Sequence, residues 1–133
     1  MLMPNIEIGL VGEHRRAVTA DIAVDFLGLE GARVLGTPFM IMLIEMTARN
    51  AMLPLLDPGY DSVGTEVCVR HLAATPIGME VTFKTEVIAV EDRRVRFKVE
   101  AFDAKEQIAD GTHERFIVNV ERFAKRLAEK NAS

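Results

Sequence analysis

The apolar pattern of this chain changes from a helical period to a period of two near its middle, and that change restricts the folds open to it. Residues 37–52 form a nearly continuous apolar segment that begins with Thr37 and Pro38. A hydroxyl at the N-cap position followed by proline at the first helical position predicts a helix start. Apolar and polar residues alternate over residues 63–73, 79–89 and 95–101, which predicts three strands. A further segment after a charged turn predicts a fourth strand over residues 107–120.

A buried helix followed by antiparallel strands with short turns predicts an α+β fold, in which a curved antiparallel sheet wraps around a central helix. The 133 residues are enough for a domain with its own core, and we expect one domain over residues 1–133. We also expect a strand between residues 13 and 25, and a short charged helix over residues 121–130.

Some apolar residues fall on the second face of the predicted strands or at strand edges: Ile88, Val90, Phe102 and Ile108. A sheet that exposes such residues and an unpaired edge tends to associate with another sheet. We therefore expect the sheet to continue into a partner subunit, which makes the protein at least a homodimer.

Charge and composition exclude several classes of partner. The net charge is −4, and the basic clusters at residues 93–96 and 122–130 have acidic neighbours, which disfavours nucleic acid as a partner. The longest apolar run, residues 38–44, is too short to cross a bilayer. Cys68 is the single cysteine and cannot form an internal disulfide, which predicts a reducing, cytoplasmic location. The first residues lack the basic segment and following apolar segment of a secretory signal, so we expect none.

Three polar residues stand where this pattern places apolar ones. Thr37 opens the apolar segment, Glu45 lies inside it, and His71 falls on the apolar side of the first predicted strand after the helix. Burying a carboxylate or an imidazole is costly unless the group is paired or used in chemistry. The three residues are therefore a candidate site.

Each of these residues also has a purely structural interpretation. Thr37 before a proline is often only a helix N-cap. Glu45 precedes Arg49 by four residues, a spacing that allows an ion pair on a helix surface. A lone histidine on an apolar face is often a core residue with satisfied hydrogen bonds.

Three blocks of sequence distinguish these interpretations. They are G-T-P-F-M-I-M-L-I-E with R-N-A-M, then G-T-E-V-C-V-R-H-L-A-A-T-P-I-G-M, and then D-G-T-H-E-R-F-I-V. The three blocks occur in this order, and Glu45 follows Thr37 by eight residues and precedes His71 by 26. With this order and spacing, the chain resembles acyl-CoA thioesterases of the fluoroacetyl-CoA thioesterase type, which have the hot-dog fold.

The resemblance implies that Thr37, Glu45 and His71 form the catalytic set of an acyl-CoA thioesterase. Glu45 would attack the thioester or activate a water, His71 would stabilise the leaving sulfur, and Thr37 would donate a hydrogen bond. Backbone N–H groups near Gly64, where a side chain is missing, or at the helix start would hold the oxyanion. Coenzyme A is then part of the substrate, and we expect no metal and no separate cofactor.

The spacing of the set adds a geometric condition. On one straight helix, eight residues separate Thr37 from Glu45 by roughly 12 Å, too far for their side chains to touch. Either Thr37 lies on a loop that folds back, or the site is completed across a subunit interface.

The segment before the helix departs from the family pattern. Enzymes of this type that select a small fluorinated acyl group carry aromatic residues there, whereas this chain reads G-L-E-G-A-R-V-L-G, with Phe26 the only aromatic residue nearby. The expected activity is hydrolysis of a short or medium acyl-CoA without fluoroacetyl selectivity.

Other candidates and other functions are weaker. The adjacent residues His113 and Glu114 should point to opposite sheet faces and therefore cannot both line one pocket. His113 with Arg115 could flank a pocket or an interface, and we expect a structural role for this pair. Arg70 or Arg33 could meet the phosphates of coenzyme A. A hot-dog hydratase or dehydratase is disfavoured because no closely spaced Asp-to-His motif is present; a non-catalytic acyl-CoA-binding module is the alternative outside enzymes.

Overall fold

A helix followed by four consecutive long strands is present, as the change of period predicts. The computed structural model describes residues 5–132. Residues 1–4 and 133 lie outside the described residues; they are the ends of the expected domain, and residues 1–4 also begin the segment considered for a secretory signal. The elements are β1 (Val11–Ala17), β2 (Ala23–Val24), β3 (Val34–Leu35), α1 (Thr37–Met52), β4 (Tyr60–His71), β5 (Glu80–Glu91), β6 (Arg94–Phe102), β7 (Gln107–Asn119) and α2 (Val120–Ala132).

Five strands form one antiparallel sheet in the order β1-β5-β6-β7-β4, and β2 pairs with β3 in a small separate ribbon. Helix α1 packs on this sheet and contacts β5, β1 and β4. The predicted α+β fold, a curved antiparallel sheet around a central helix, is confirmed. The sheet leaves two edges, β1 and β4, and β4 carries Gly64 and His71.

The core lies between α1 and the sheet. The helix contributes Met40, Leu43, Ile44, Ala48 and Met52, all essentially fully buried. The facing residues recur at every second position of β5 and β6, as the alternation predicts: Val81, Phe83, Val87, Val95, Phe97, Val99 and Ala101. Burial of each large apolar side chain stabilises the fold by about 1.5–3 kcal/mol, so this layer fixes how α1 sits on the sheet.

The structure corrects two details of the prediction. The N-cap of α1 is Gly36 and not Thr37, so no side chain caps the helix, and the Thr37 hydroxyl bonds to His71 instead. Ile108 is fully buried and belongs to the core, not to an outer apolar surface. The register shifts between Ala101 and Phe102 opposite β7, and this bulge turns two consecutive residues, Ile108 and Ala109, inward. Ile88, in contrast, is exposed.

One face of the central helix is open in the single chain. Phe39, Met42 and Met46 follow each other at helical spacing and are each about 40% exposed, at 36%, 43% and 42%. The outer edge of β4 adjoins no other strand in the described part of the chain. Among residues 5–132, no helix has the length and apolar character needed to cross a membrane.

Gly111 provides a test of the pairing between β7 and β4. Its φ is +155°, and a Cβ there would overlap the backbone carbonyl of Cys68 and lie 2.6 Å from Cα of Val69, which are backbone atoms that cannot move without breaking the ladder. We expect Gly111→Ala to lower the free energy of unfolding by about 2–4 kcal/mol in chemical denaturation.

The matched control is Gly59→Ala. Gly59 also has positive φ, +88°, but a Cβ there meets no atom within 4 Å. Only the backbone strain remains, at a cost of about 1 kcal/mol. Equal losses for the two variants would show that the close approach at Gly111 does not limit the sheet.

Candidate active site

Thr37 and His71 meet where the first turn of α1 approaches the last residue of β4. The Thr37 Oγ1 atom lies 2.8 Å from Nδ1 of His71. Pro38 within the first helical turn fixes the direction in which α1 begins. The hydroxyl that the sequence placed as a helix cap is therefore the hydrogen-bond partner of the imidazole.

The His71 ring is half-buried and electrically neutral near pH 7. Burial lowers the pKa of His71 below its ordinary value of 6.5, and a smaller opposing contribution comes from the backbone of Ala73. The Nε2 atom is buried and has no hydrogen-bond partner among the described residues. When Thr37 donates to Nδ1, the ring proton is on Nε2 and is left without an acceptor among the described residues.

A cleft of about 370 Å³ opens beside this pair. Most of its lining is apolar and comes from the segment before α1 and from the residues that follow β4, among them Val24, Phe26, Val34 and Leu72. Phe26 is also 55% exposed, so the cleft is open on that side. Its chemistry suits an apolar group next to one hydroxyl and one imidazole.

Glu45 lies further along α1, against Gly64 of β4. A Cβ at position 64 would overlap Oε2 of Glu45, so only glycine leaves room for the carboxylate at this point of the sheet. The Glu45 side chain remains 37% exposed. The space that the sequence suggested for a substrate beside Gly64 thus also admits the Glu45 carboxylate.

A buried arginine that the sequence prediction did not place in the site faces this carboxylate. Arg115 lies directly opposite Gly64 in the β4–β7 register and is 5% exposed. Its NH1 atom is 3.7 Å from Oε2 of Glu45. Its Nε donates to Oγ of Ser62 at 2.7 Å, and its NH2 donates to the Ser62 carbonyl at 2.9 Å. Burial lowers the pKa of Arg115, whereas the charges of Glu45 and Asp61 raise it.

The ion pair between Glu45 and Arg49 that the sequence allowed does not form. Arg49 instead binds both oxygens of Asp61, with Nε 3.0 Å from Oδ1 and NH2 2.6 Å from Oδ2. The hydrogen bond from Arg49 is the main cause that lowers the pKa of Asp61. With Arg49 engaged, Arg115 is the positive charge that Glu45 meets.

The candidate residues thus form two groups in one chain. One is Thr37 with His71, and the other is Glu45 with Gly64 and Arg115. Because α1 is helical from Thr37 onward, Thr37 does not lie on a loop that folds back toward Glu45. Eight helical residues keep the two groups roughly 12 Å apart along the axis.

The remaining candidates have other partners. Glu114 faces away from His113, as predicted, and pairs with Arg94 and Arg96 on the other side of the sheet. Arg70 binds both carboxylate oxygens of Asp110. Arg33 donates to the carbonyl of Ala20.

Comparison with known proteins places this geometry in a family. The family model described as fluoroacetyl-CoA-specific thioesterase matches residues 11–121. A curated fluoroacetyl-CoA thioesterase from Streptantibioticus cattleyicolor is 43% identical over 101 residues, which are 76% of this chain and 73% of the relative.

Solved structures agree with the sequence matches. A fluoroacetyl-CoA thioesterase structure superposes with a TM-score of 0.86 at 36% identity, covering 96% of this chain and 98% of the other. A thioesterase superfamily member from Thermus thermophilus gives 0.84 at 30% identity, covering 96% and 97%. A hot-dog-like protein from Thermanaerovibrio acidaminovorans gives 0.86 at 26% identity, covering 95% and 93%. The chain has the hot-dog fold and belongs to the fluoroacetyl-CoA-specific thioesterase family.

Proposed function

We propose that this protein hydrolyses an acyl-CoA thioester to a free acid and coenzyme A, with Thr37, Glu45 and His71 as its catalytic residues. Family membership supports the reaction class. The observation that carries the assignment of residues is the Glu45 carboxylate, which is partly exposed beside Gly64 and faces the buried charge of Arg115 at 3.7 Å. A structural glutamate on a helix surface needs no such environment.

Two routes use this carboxylate. In the first, Glu45 attacks the thioester carbonyl, the thiolate of coenzyme A leaves, and water hydrolyses the resulting anhydride. In the second, Glu45 takes a proton from a water that attacks the carbonyl directly. The 3.7 Å separation from Arg115 exceeds a hydrogen-bond length, so the carboxylate keeps lone pairs available for either route.

His71 and Thr37 act on the leaving group in this proposal. The neutral ring donates from Nε2 to the developing thiolate, while the Thr37 hydroxyl, 2.8 Å from Nδ1, maintains the tautomer with the proton on Nε2. The unpartnered state of Nε2 supports this role. Backbone N–H groups near Gly64 or at the start of α1 hold the oxyanion, and the reaction requires no metal or separate cofactor.

The substrate is a short or medium acyl-CoA. The apolar cleft beside Thr37 and His71 is large enough for a few carbon atoms. Phe26 borders it but is 55% exposed and leaves it open, and no aromatic residue lies between Gly28 and Gly36 to close it around a small fluorinated group. We therefore do not extend fluoroacetyl selectivity from the relatives to this chain.

A homodimer brings the two groups of the site together. Glu45 lies against Gly64 of the edge strand β4, and the exposed apolar face of α1 includes Met42 and Met46, within one helical turn of Glu45. Antiparallel pairing of two β4 strands about a twofold axis would extend the sheet and place His71 of one subunit toward Gly64 of the other. A cytoplasmic location, in which exposed Cys68 stays reduced, completes the proposal.

Glu45→Gln tests the catalytic role of the carboxylate. The amide keeps the shape of the side chain but can neither attack a thioester nor accept a proton from water. We expect kcat for free-thiol release from acetyl-CoA through decanoyl-CoA to fall by at least about 100-fold.

Glu114→Gln is the matched control, because Glu114 pairs with Arg94 and Arg96 on the opposite face of the sheet. We expect it to leave kcat near the wild-type value. Full activity of Glu45→Gln would exclude the proposed role. No thiol release by the wild-type protein on any substrate would point to a binding module or a hydratase.

The lowered pKa of His71 predicts an acid limit for activity below pH 6.5. Neutral His71 is the active form in this proposal, so kcat should stay constant from pH 8 down to about 6.5 and fall only as the ring becomes protonated at lower pH. An NMR titration of the His71 ring would check the assignment, and a midpoint at or above pH 6.5 would contradict it.

The same shift affects stability with a defined sign. Because the folded pKa of His71 is depressed, the unfolded chain binds more protons below pH 6.5, and the free energy of unfolding decreases as pH falls. Thermal melts at each pH would separate this loss of fold from loss of catalysis.

Complementation between two inactive variants tests whether the site is shared. A heterodimer of Glu45→Gln and His71→Gln subunits, purified through two different tags, contains one site with both residues intact if each site uses Glu45 of one subunit and His71 of the other. We expect about half of the wild-type activity per dimer.

A heterodimer of Glu45→Gln with the double variant Glu45→Gln/His71→Gln has no intact site and serves as the control. If Glu45 and His71 act within one chain, the first heterodimer also has no intact site and remains inactive. That result would exclude the shared site while leaving the thioesterase proposal standing.

A further inference from the structure

The most deeply buried titratable side chain of the described residues, His113, lies directly behind Arg115. His113 is 0% exposed, and its ring stacks on Phe97 with centroids 6.0 Å apart and an angle of 26° between the rings. Its Nδ1 is 2.8 Å from the carbonyl oxygen of Glu66, and its Nε2 is 3.2 Å from NH1 of Arg115. Both ring nitrogens are therefore engaged inside the protein.

The partners of the ring determine its tautomer. A backbone carbonyl can only accept a hydrogen bond, so Nδ1 carries the proton and donates to Glu66. A guanidinium can only donate, so Nε2 carries no proton and accepts from Arg115. Burial and the nearby positive charge of Arg115 both lower the pKa of His113, which keeps the ring neutral. With both nitrogens occupied, His113 is not a general acid or base.

The ring also borders the space that Glu45 occupies. A Cβ at Gly64 would lie 3.3 Å from Cε1 of His113 and would overlap the carboxylate of Glu45. Ser62 accepts hydrogen bonds from Nε and NH2 of Arg115, whereas NH1 lies 3.2 Å from Nε2 of His113 and 3.7 Å from Oε2 of Glu45. The planar guanidinium is thus oriented by Ser62, and the acceptor at His113 Nε2 satisfies an N–H of NH1 in the buried site, which keeps NH1 in place beside Glu45.

We propose that His113 is a positioning residue, which holds NH1 of Arg115 toward Glu45 by accepting a hydrogen bond at Nε2. This inference rests on the proposed function, in which Glu45 is the reacting carboxylate. His113 never touches the substrate. Its loss should therefore change kcat, through the position of the charge beside Glu45, while binding of the acyl-CoA stays nearly unchanged.

Two amide variants separate positioning from a structural role. His113→Gln can place an oxygen near the position of Nε2 and so keep an acceptor for Arg115. His113→Asn is one methylene shorter, reaches only the position of Nδ1, and so keeps a donor for the Glu66 carbonyl. We expect Asn to lower kcat by about 10- to 100-fold with KM changed less than about twofold, and Gln to restore most of kcat.

The opposite ranking would overturn the proposal. If His113 serves only to satisfy the Glu66 carbonyl, Asn should be the more active variant. Equal losses in both variants, in parallel with their denaturation midpoints, would indicate a purely structural residue. Absence of turnover in the wild-type protein would contradict the proposed function and not the positioning role.

A measurement on the wild-type protein tests the positioning role without turnover. Nitrogen NMR of the His113 ring in the wild-type protein should show a protonated Nδ1 and an unprotonated Nε2 throughout pH 6–8. A slowly exchanging side-chain signal of Arg115 should be lost in His113→Asn and retained in His113→Gln. A proton on Nε2, or an Arg115 signal indifferent to both variants, would exclude the hydrogen bond on which the inference depends.

Discussion

Burial of the Arg115 guanidinium is the constraint on which the rest of the site depends. A buried charge costs several kcal/mol unless polar groups surround it, and an unpaired one strongly destabilises a fold. Here Ser62, His113 and Glu45 surround it, and Arg49 with Asp61 forms a second ion pair nearby. Every one of these partners comes from α1, β4 or β7, so the pairing of the charge requires both the register of β4 with β7 and the position of α1 on the sheet.

Glycine at position 64 makes that arrangement sterically possible. Gly64 is paired with Arg115 across the ladder, and the register shifts immediately after it, between Gly64 and Glu66. A Cβ at this position would overlap Oε2 of Glu45, so the carboxylate would have to shift from its place beside Arg115. A β-bulge locally disrupts the ladder of a sheet. Here the bulge lies next to Gly64, where the carboxylate of Glu45 from α1 packs against β4.

The sequence predicted the elements well because their signals are local. The helix from Thr37 and the alternation of β5 and β6 depend on neighbours along the chain, and both are confirmed. The sequence predicts only a structural role for His113 and Arg115, flanking a pocket or an interface. Their parity with buried Ile117 was the available signal. Their contact with Glu45 depends on the register between distant strands, and the inward turn of Ile108 depends on a bulge; neither is encoded locally.

The two groups of the site differ in how far their polar atoms are paired within one chain. The hydrogen bonds of Arg115 to Ser62 and His113 and its charge pairing with Glu45 all form within the protomer, so the costly burial of this charge is complete when the chain folds. Thr37 and His71 line an open cleft, and Nε2 of His71 has no partner in the described residues. In the proposed dimer, association therefore has only to align a preformed carboxylate with a preformed imidazole. Neither subunit has to bury an unpaired charge before its partner arrives, which is why a site divided between subunits is compatible with a stable monomer fold.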